Sequence, residues 1–306
     1  MPANRLRTTL RDVLRGHPSL KLAAQELPPL RALSDGASAI GAWRFARGPM
    51  VPHTLGYASY KTRAIRRGLA DPEVMQRFRT GQLPPGYGYR LDERIVEYPW
   101  ALSQIQDGTR RILDAGSTFN FPHILNADVL EGRSITILTL DHEGFVASPQ
   151  AVSYVYDDIR CLPFRDGHFD TVVCLSTLEH VGLDNSLYTT DPTKRENDAA
   201  SYLAAVRELV RVAKPGGRIL LSMPYGTHKN WGWFQTFDEE MVRSIRDLVA
   251  PRRMTETYFK YADDQWQFST AAACRDCECF VPGLSDQPPP DFLAFSRGIV
   301  GLCIEK

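Results

Sequence analysis

The chain has 306 residues, 43% apolar and 24% charged, which suits one large globular domain or one domain with an appendage and needs no disulfide or metal to hold a core. Thirty-six Lys and Arg balance 36 Asp and Glu, so no global charge points to nucleic acid, and no apolar run approaches the roughly eighteen residues of a membrane-spanning helix. Six unevenly spaced cysteines (Cys161, Cys174, Cys274, Cys277, Cys279 and Cys303) do not make a secreted disulfide framework and point to a reducing, cytoplasmic setting.

The neutral total hides a basic arm on an acidic body. Residues 1–20 are basic and lack the apolar stretch of a secretory signal. Residues 1–70 hold twelve Lys or Arg against three Asp or Glu, so 71–306 carry 33 acids against 24 bases. Leu6, Leu10, Val13 and Leu14 fit a short amphipathic helix whose other face carries Arg7, Arg11 and Arg15. Such a helix either packs on the main domain with its basic face in water or meets an anionic substrate or membrane surface. Gly and Pro punctuate 48–52 and 82–88, which places a boundary near residue 90. Residues 1–90 then form a basic helical and loop extension, a lid or acceptor side, and 91–306 form the main domain.

From residue 94 strands and helices alternate. The stretch 94–105 fits a helix that Pro99 bounds or kinks. Strands are predicted at 111–114, 135–140, 152–156, 169–175 and 218–223. A helix before the last of them carries Ala199, Tyr202, Leu203, Val206, Leu209, Val210 and Ala213 at steps of three and four, stopped by Pro215-Gly216-Gly217. Met254–Tyr261 and Ile299–Ile304 read as antiparallel edge strands. The pattern predicts an α/β, Rossmann-like, seven-stranded and mostly parallel sheet with an antiparallel last strand. Ligands in such sheets bind beyond the carboxyl ends of the strands.

Those ends carry the candidate chemistry. Asp114 ends the first strand and leads into the small-residue turn Ala115, Gly116 and Ser117, where backbone can approach a charged ligand closely. Asp141 ends the second strand, placed to accept both ribose hydroxyls of a nucleoside. Asp157 and Asp158 end the third, and Asp158 can accept from an adenine amino group. Each alone also reads as a cap or turn residue, whereas the ordered set is far more specific.

Together with Leu162-Pro163-Phe164, Phe169-Asp170-Thr171-Val172-Val173, Leu178-Glu179-His180-Val181 and Leu209-Val210-Arg211-Val212-Ala213-Lys214-Pro215-Gly216-Gly217, these residues make the chain from about Arg94 onward resemble a class I S-adenosylmethionine-dependent methyltransferase. The resemblance implies S-adenosyl-L-methionine as cofactor. It implies that Asp114, Gly116 and Ser117 lie at its methionine end, Asp141 at the ribose, Asp157 and Asp158 at the adenine, and Ser176 on the pocket floor. The chain departs from the family at Thr118 and Asn120, where further glycines are usual. Those two side chains either crowd the cofactor or bond to it. Only 17 residues separate Asp141 from Asp158, which leaves little room for the usual helix, and Glu143 competes for the ribose contact. A dinucleotide-binding dehydrogenase would need Gly-x-Gly-x-x-Gly, but no glycine follows Gly116 until Gly132.

His180, just after the fourth strand, is the candidate base for a hydroxyl acceptor, with titration expected near neutrality. The alternative is that Glu179 and His180 only begin a helix. Some relatives bind a metal at this Glu-His pair, but Ser176 replaces one ligand, so no metal is expected. His228, Trp231 and Trp233 suit stacking and hydrogen bonding to a sugar, or packing as core; residues 184–194 read as a loop over the pocket. Cys274, Cys277 and Cys279, with Cys303 as a possible fourth ligand, hold half of a zinc pattern and read as buried thiols. The expectation is methyl transfer to a hydroxyl of a carbohydrate or related polar metabolite. The alternatives are another small molecule, a lipid, or a catalytically silent binding protein. The expected partner is a small-molecule or glycan acceptor, without nucleic acid, and with peripheral membrane contact open to the basic arm.

Overall fold

The computed structural model describes residues 28–142, 151–250, 252–285, 289–291, 293 and 295–306. The helix expected across Leu6 to Arg15, and Glu143, lie outside them. Three helices come first: α1 (Pro28–Arg47), α2 (Tyr57–Ala70) and α3 (Pro72–Thr80). The start and stop of α3 are local chemistry. Asp71 accepts from the backbone N–H groups of Glu73 and Val74, Pro72 opens the helix, and Gly81 closes it at φ +79°. Helix α4 (Arg94–Ser103) runs through Pro99, where a boundary or kink was expected. Pro99 has no N–H to give the Ile95 carbonyl, and the Tyr87 hydroxyl donates to that oxygen instead at 3.0 Å.

The main sheet is built from β1 (Arg111–Ala115), β2 (Ser134–Thr139), β3 (Val152–Tyr156), β4 (Phe169–Leu175), β5 (Ala213–Pro224), β8 (Arg253–Ala262), β9 (Gln265–Ser269) and β10 (Gly298–Glu305). A two-stranded ribbon, β6 (Lys229–Asn230) with β7 (Gln235–Thr236), stands apart. The order is β3-β2-β1-β4-β5-β10-β8-β9, so eight strands replace the expected seven. The first five are mutually parallel; β10 runs antiparallel between β5 and β8, and β9 adds an antiparallel edge. Helix α5 (Pro122–Leu125) is a single turn, α6 (Tyr202–Val212) precedes β5, and α7 (Glu239–Val249) precedes β8. Pairing of β5 with β4 begins at Ala213 opposite Phe169 and resumes at Arg218 opposite Thr171, so 214–217 bulge out. Gly217 is needed there, because a Cβ would come 2.6 Å from the Asp170 carbonyl oxygen.

Alternate strand residues feed two cores on opposite faces. Leu113, Val172, Cys174, Ile219, Leu221, Val300 and Leu302 face α6 and α7. Ile112, Val173, Leu175, Leu220, Ile299 and Cys303 face α4, joined by Phe45, Ile65, Met75 and Phe78 of α1 to α3. The amino-terminal helices therefore share a core with the sheet.

Candidate functional site

A cleft of about 250 Å³ opens at the carboxyl ends of β1 to β4. Gly116 lines it with φ +123°, and a Cβ on this residue would meet the Thr177 Oγ1 at 2.1 Å. Ser117 follows at φ +58° just behind the cleft wall, which it does not itself line, and its hydroxyl oxygen is buried without a hydrogen-bond partner. Asp114 is fully buried; its carboxylate accepts from the N–H and hydroxyl of Thr118 and from the Phe119 N–H at 2.7 to 3.2 Å, which fixes the turn. Asp114 is not on the cleft wall. The Thr118 hydroxyl points to Asp114, and the Asn120 Oδ1 accepts from the Tyr154 hydroxyl at 2.8 Å. The two side chains that replace glycines are thus engaged within the protein, and of the two Thr118 also lines the cleft.

Asp141 does not line the cleft either, whereas Thr139 and Leu140 do. Its carboxylate accepts from the His142 N–H and from the Thr189 hydroxyl and Thr190 N–H of the loop opposite, and these bonds, the His142 one first, lower its pKa. Asp157 and Asp158 both line the cleft. Burial alone would raise the Asp158 pKa, but bonds from Arg160 and from Lys194, each at 2.7 Å, outweigh it and hold the carboxyl well below the usual range. Arg160 also bonds Glu196 at 2.6 Å. Asn185, Tyr188 and Lys194 reach the cleft, so the 184–194 segment covers it as expected.

Ser176, at φ +37°, lines the cleft, and its hydroxyl donates to Glu97 Oε1 at 2.6 Å. Glu97 is fully buried on α4 and also accepts from the Ser222 hydroxyl at 2.7 Å and from Arg94 at 2.9 Å. Arg94 lines the cleft. Neither residue was singled out from the sequence. The signal available was two charged residues, Arg94 and Glu97, in an otherwise apolar helix.

His180 ends a 3₁₀ turn (Leu178–His180) and lines the cleft. Its Nδ1 pairs with the Trp233 carbonyl oxygen at 2.8 Å, and the Trp233 ring stacks on it at 5.2 Å. A carbonyl only accepts, so Nδ1 carries the proton and Nε2 keeps its lone pair in the neutral ring. Burial pushes the His180 pKa down to about 4, not near neutrality as expected. Glu179 Oε1 lies 4.0 Å from Nε2, and burial drives the Glu179 pKa well up.

The three aromatic and imidazole acceptor candidates do not converge. Trp233 packs on His180, whereas His228 and Trp231 line a separate cavity of about 680 Å³ between the β6–β7 ribbon and the segment after α8 (Ala271–Cys274). Phe234 packs against His180 and against both Trp231 and Trp233. Cys274 and Cys277 lie in the core facing α6 and α7, Cys279 accepts from the Thr236 hydroxyl at 3.4 Å, and Cys303 lies across the sheet. The sheet itself thus separates Cys303 from the Cys-x-x-Cys pair. Among the described residues no His, Cys, Asp and Glu group is arranged to hold a metal ion.

Residues 133–221, from β2 to β5, match the family described as methyltransferase domain. Solved structures of similar fold include an S-adenosylmethionine-dependent methyltransferase from Archaeoglobus fulgidus (13% identity, 77% of this chain and 100% of that one, TM-score 0.42) and another from Methanosarcina mazei (18%, 70% and 98%, 0.39). A third is the 1,6-didemethyltoxoflavin-N1-methyltransferase of Burkholderia thailandensis, determined with S-adenosylhomocysteine (15%, 65% and 72%, 0.37). No curated protein matches the sequence. Residues 133–221 therefore carry a methyltransferase domain, which makes the protein an enzyme with S-adenosylmethionine as cofactor.

Proposed function

We propose that this enzyme methylates a hydroxyl of a carbohydrate or related polar metabolite, with His180 as proton acceptor. The observation that carries the reading is the fixed tautomer of His180: its Nδ1 is committed to Trp233, which leaves Nε2 as a basic lone pair on a residue of the cleft wall. The cleft fits the cofactor on three counts: the bare Cα of Gly116, the orphaned Ser117 hydroxyl, and the adjacent carboxylates Asp157 and Asp158. In this reading Gly116, Asp157 and Asp158 touch the cofactor, the unpartnered Ser117 hydroxyl turns to it from behind the wall, and Ser176 forms the floor. Asp114 acts by holding the turn, and Asp141 by tying down the covering loop.

Bound S-adenosylmethionine supplies an electrophilic methyl group on a cationic sulfur. The protein's part is to align the acceptor oxygen with that methyl group and to take the hydroxyl proton at His180 Nε2. The buried site then loses one positive charge as it gains another, so its net charge is constant through the step. The Nε2 pKa is held below its cofactor-free value of about 4 by the sulfonium charge present before the step, and loss of that charge restores it, so proton uptake is favoured as the methyl group leaves. Residues 1–90 in this reading form the acceptor side: α2 lies over α4, and α4 presents Arg94 to the cleft.

The test is S-adenosylhomocysteine release with sugars and polyols beside their deoxy analogues, for wild type and His180→Gln. The reading predicts turnover only where the hydroxyl is present, a loss of roughly 10² to 10⁴ in kcat for the variant, and nearly unchanged cofactor affinity. Full activity of His180→Gln, or turnover confined to amines or lipids, would refute it.

A further inference from the structure

We propose that one face of α1, formed by Ile40, Trp43, Arg44 and Arg47 with Leu55 beside it, docks the enzyme on an anionic membrane surface. These four helical residues recur at steps of three and four, so they share one face. That face is turned to solvent: Ile40 is 62% and Trp43 56% exposed, and Arg44 and Arg47 are exposed as well. The opposite side of the helix is anchored by buried Ala42 and Phe45, which sets its orientation.

Leu55 is 94% exposed and precedes Gly56, which packs on α1 so closely that a Cβ there would come 2.3 Å from the Gly41 carbonyl oxygen. The backbone contact of Gly41 with Gly56 thus brings the neighbouring Ile40 and Leu55 to the same region. Three large apolar side chains in water at one place mark an interaction surface.

The charge selects the partner. The Arg47 guanidinium lies over the Trp43 ring at 4.1 Å, and neither Arg44 nor Arg47 pairs with an acid among the described residues. Residues 28–70 contain seven Lys or Arg and one Asp, in a chain that is neutral as a whole. An indole and two aliphatic side chains set among cations match the headgroup boundary of a bilayer rich in anionic lipid, where the rings lie at headgroup depth and each nearby cation adds attraction. Among the described residues no helix is long and apolar enough to cross a membrane, so contact of this kind rests on the surface. The inference is independent of the acceptor.

The experiment is flotation of the full chain with vesicles of pure phosphatidylcholine and with vesicles containing about one third phosphatidylglycerol. Binding is expected only to the anionic vesicles and should weaken several-fold at about 0.5 M salt. Arg44→Glu with Arg47→Glu should weaken it at least about 30-fold. Trp43→Ser with Leu55→Ser should weaken it markedly while cofactor affinity is unchanged, since none of these residues lines the cleft. Wild type failing to bind anionic vesicles, or both double variants binding as wild type does, would overturn the proposal. So would a concentration-dependent dimer that Trp43→Ser abolishes in a protein without vesicle affinity, because the face would then join two copies of the chain.

Discussion

Gly116 shows most directly how one residue sets what the cleft can hold. At φ +123° an L side chain is strained, and a methyl group there would overlap Thr177 Oγ1 at 2.1 Å. Gly116→Ala is therefore expected to weaken S-adenosylmethionine binding by more than about tenfold and to cost roughly 1 to 3 kcal/mol of stability. Calorimetric titration and thermal unfolding check the two effects separately. Asp158 is more than a single contact, since it also anchors Lys194 of the covering loop and Arg160. Asp158→Asn keeps the shape and removes the charge, so cofactor affinity should fall about tenfold, as for a buried hydrogen bond to a charged group. An unchanged dissociation constant would show that its bonds serve only the loop. The place of Gly116, Asp157, Asp158 and Ser176 on the cleft wall was legible because each lies within two residues of the end of a recognisable strand. Glu97 was not, because its partners Ser176 and Ser222 stand 79 and 125 residues away, and only the folded sheet brings them to one carboxylate. The His180 position was legible too, but its low pKa was not, since burial is a property of the packed site.

At the scale of elements, the hydrophobic periods revealed strands β1 to β5, β8 and β10, while β9 escaped. Its residues alternate well enough, with Trp266 and Phe268 among polar neighbours. The turn before it, however, is Asp263-Asp264 with both residues at positive φ (+52° and +59°), and no glycine signals a hairpin there. Sequence proximity also suggested that His228, Trp231 and Trp233 would act together; the β6–β7 ribbon sends the first two to another cavity. The boundary near residue 90 follows a change in composition, but packing crosses it, with Ile65, Met75 and Phe78 in one cluster with Val173 and Leu220. A chain beginning at Tyr87 would keep α4 on that sheet face but lose the side chains of α1 to α3 from the shared core. With about 1.5 to 3 kcal/mol for each buried side chain lost, stability should drop by on the order of 5 kcal/mol or more. Denaturant unfolding of that fragment checks the figure; an unchanged midpoint would make residues 1–86 a separate unit.

Over the whole molecule, buried titratable groups set opposite slopes of stability against pH. Burial lowers His123 and His180 from 6.5 to about 4, so between those values the unfolded chain holds more protons and stability falls as pH drops. Burial, with repulsion from Asp92 and Glu97, raises Glu93 from 4.5 to about 8, so in that window the folded chain holds more protons and stability falls as pH rises. The slopes oppose each other between 4.5 and 6.5, and above 6.5 the Glu93 effect stands unopposed by the histidines. Thermal unfolding should show its highest midpoint on the mildly acidic side and a decline toward pH 8. Glu179, also pushed up by burial, acts in the same direction, so Glu93→Gln should reduce that decline without abolishing it; an unaltered slope would place its cause elsewhere.

The central claim is that the cleft from Gly116 to Asp158 is where the cofactor binds and from which the methyl group leaves. Titration calorimetry of S-adenosylmethionine into wild type and Gly116→Ala tests it most directly. Saturable binding at one site per chain, weakened more than about tenfold by the single added methyl group, is the predicted result. Equal affinity in the two proteins, or no binding to a folded wild type, would contradict it.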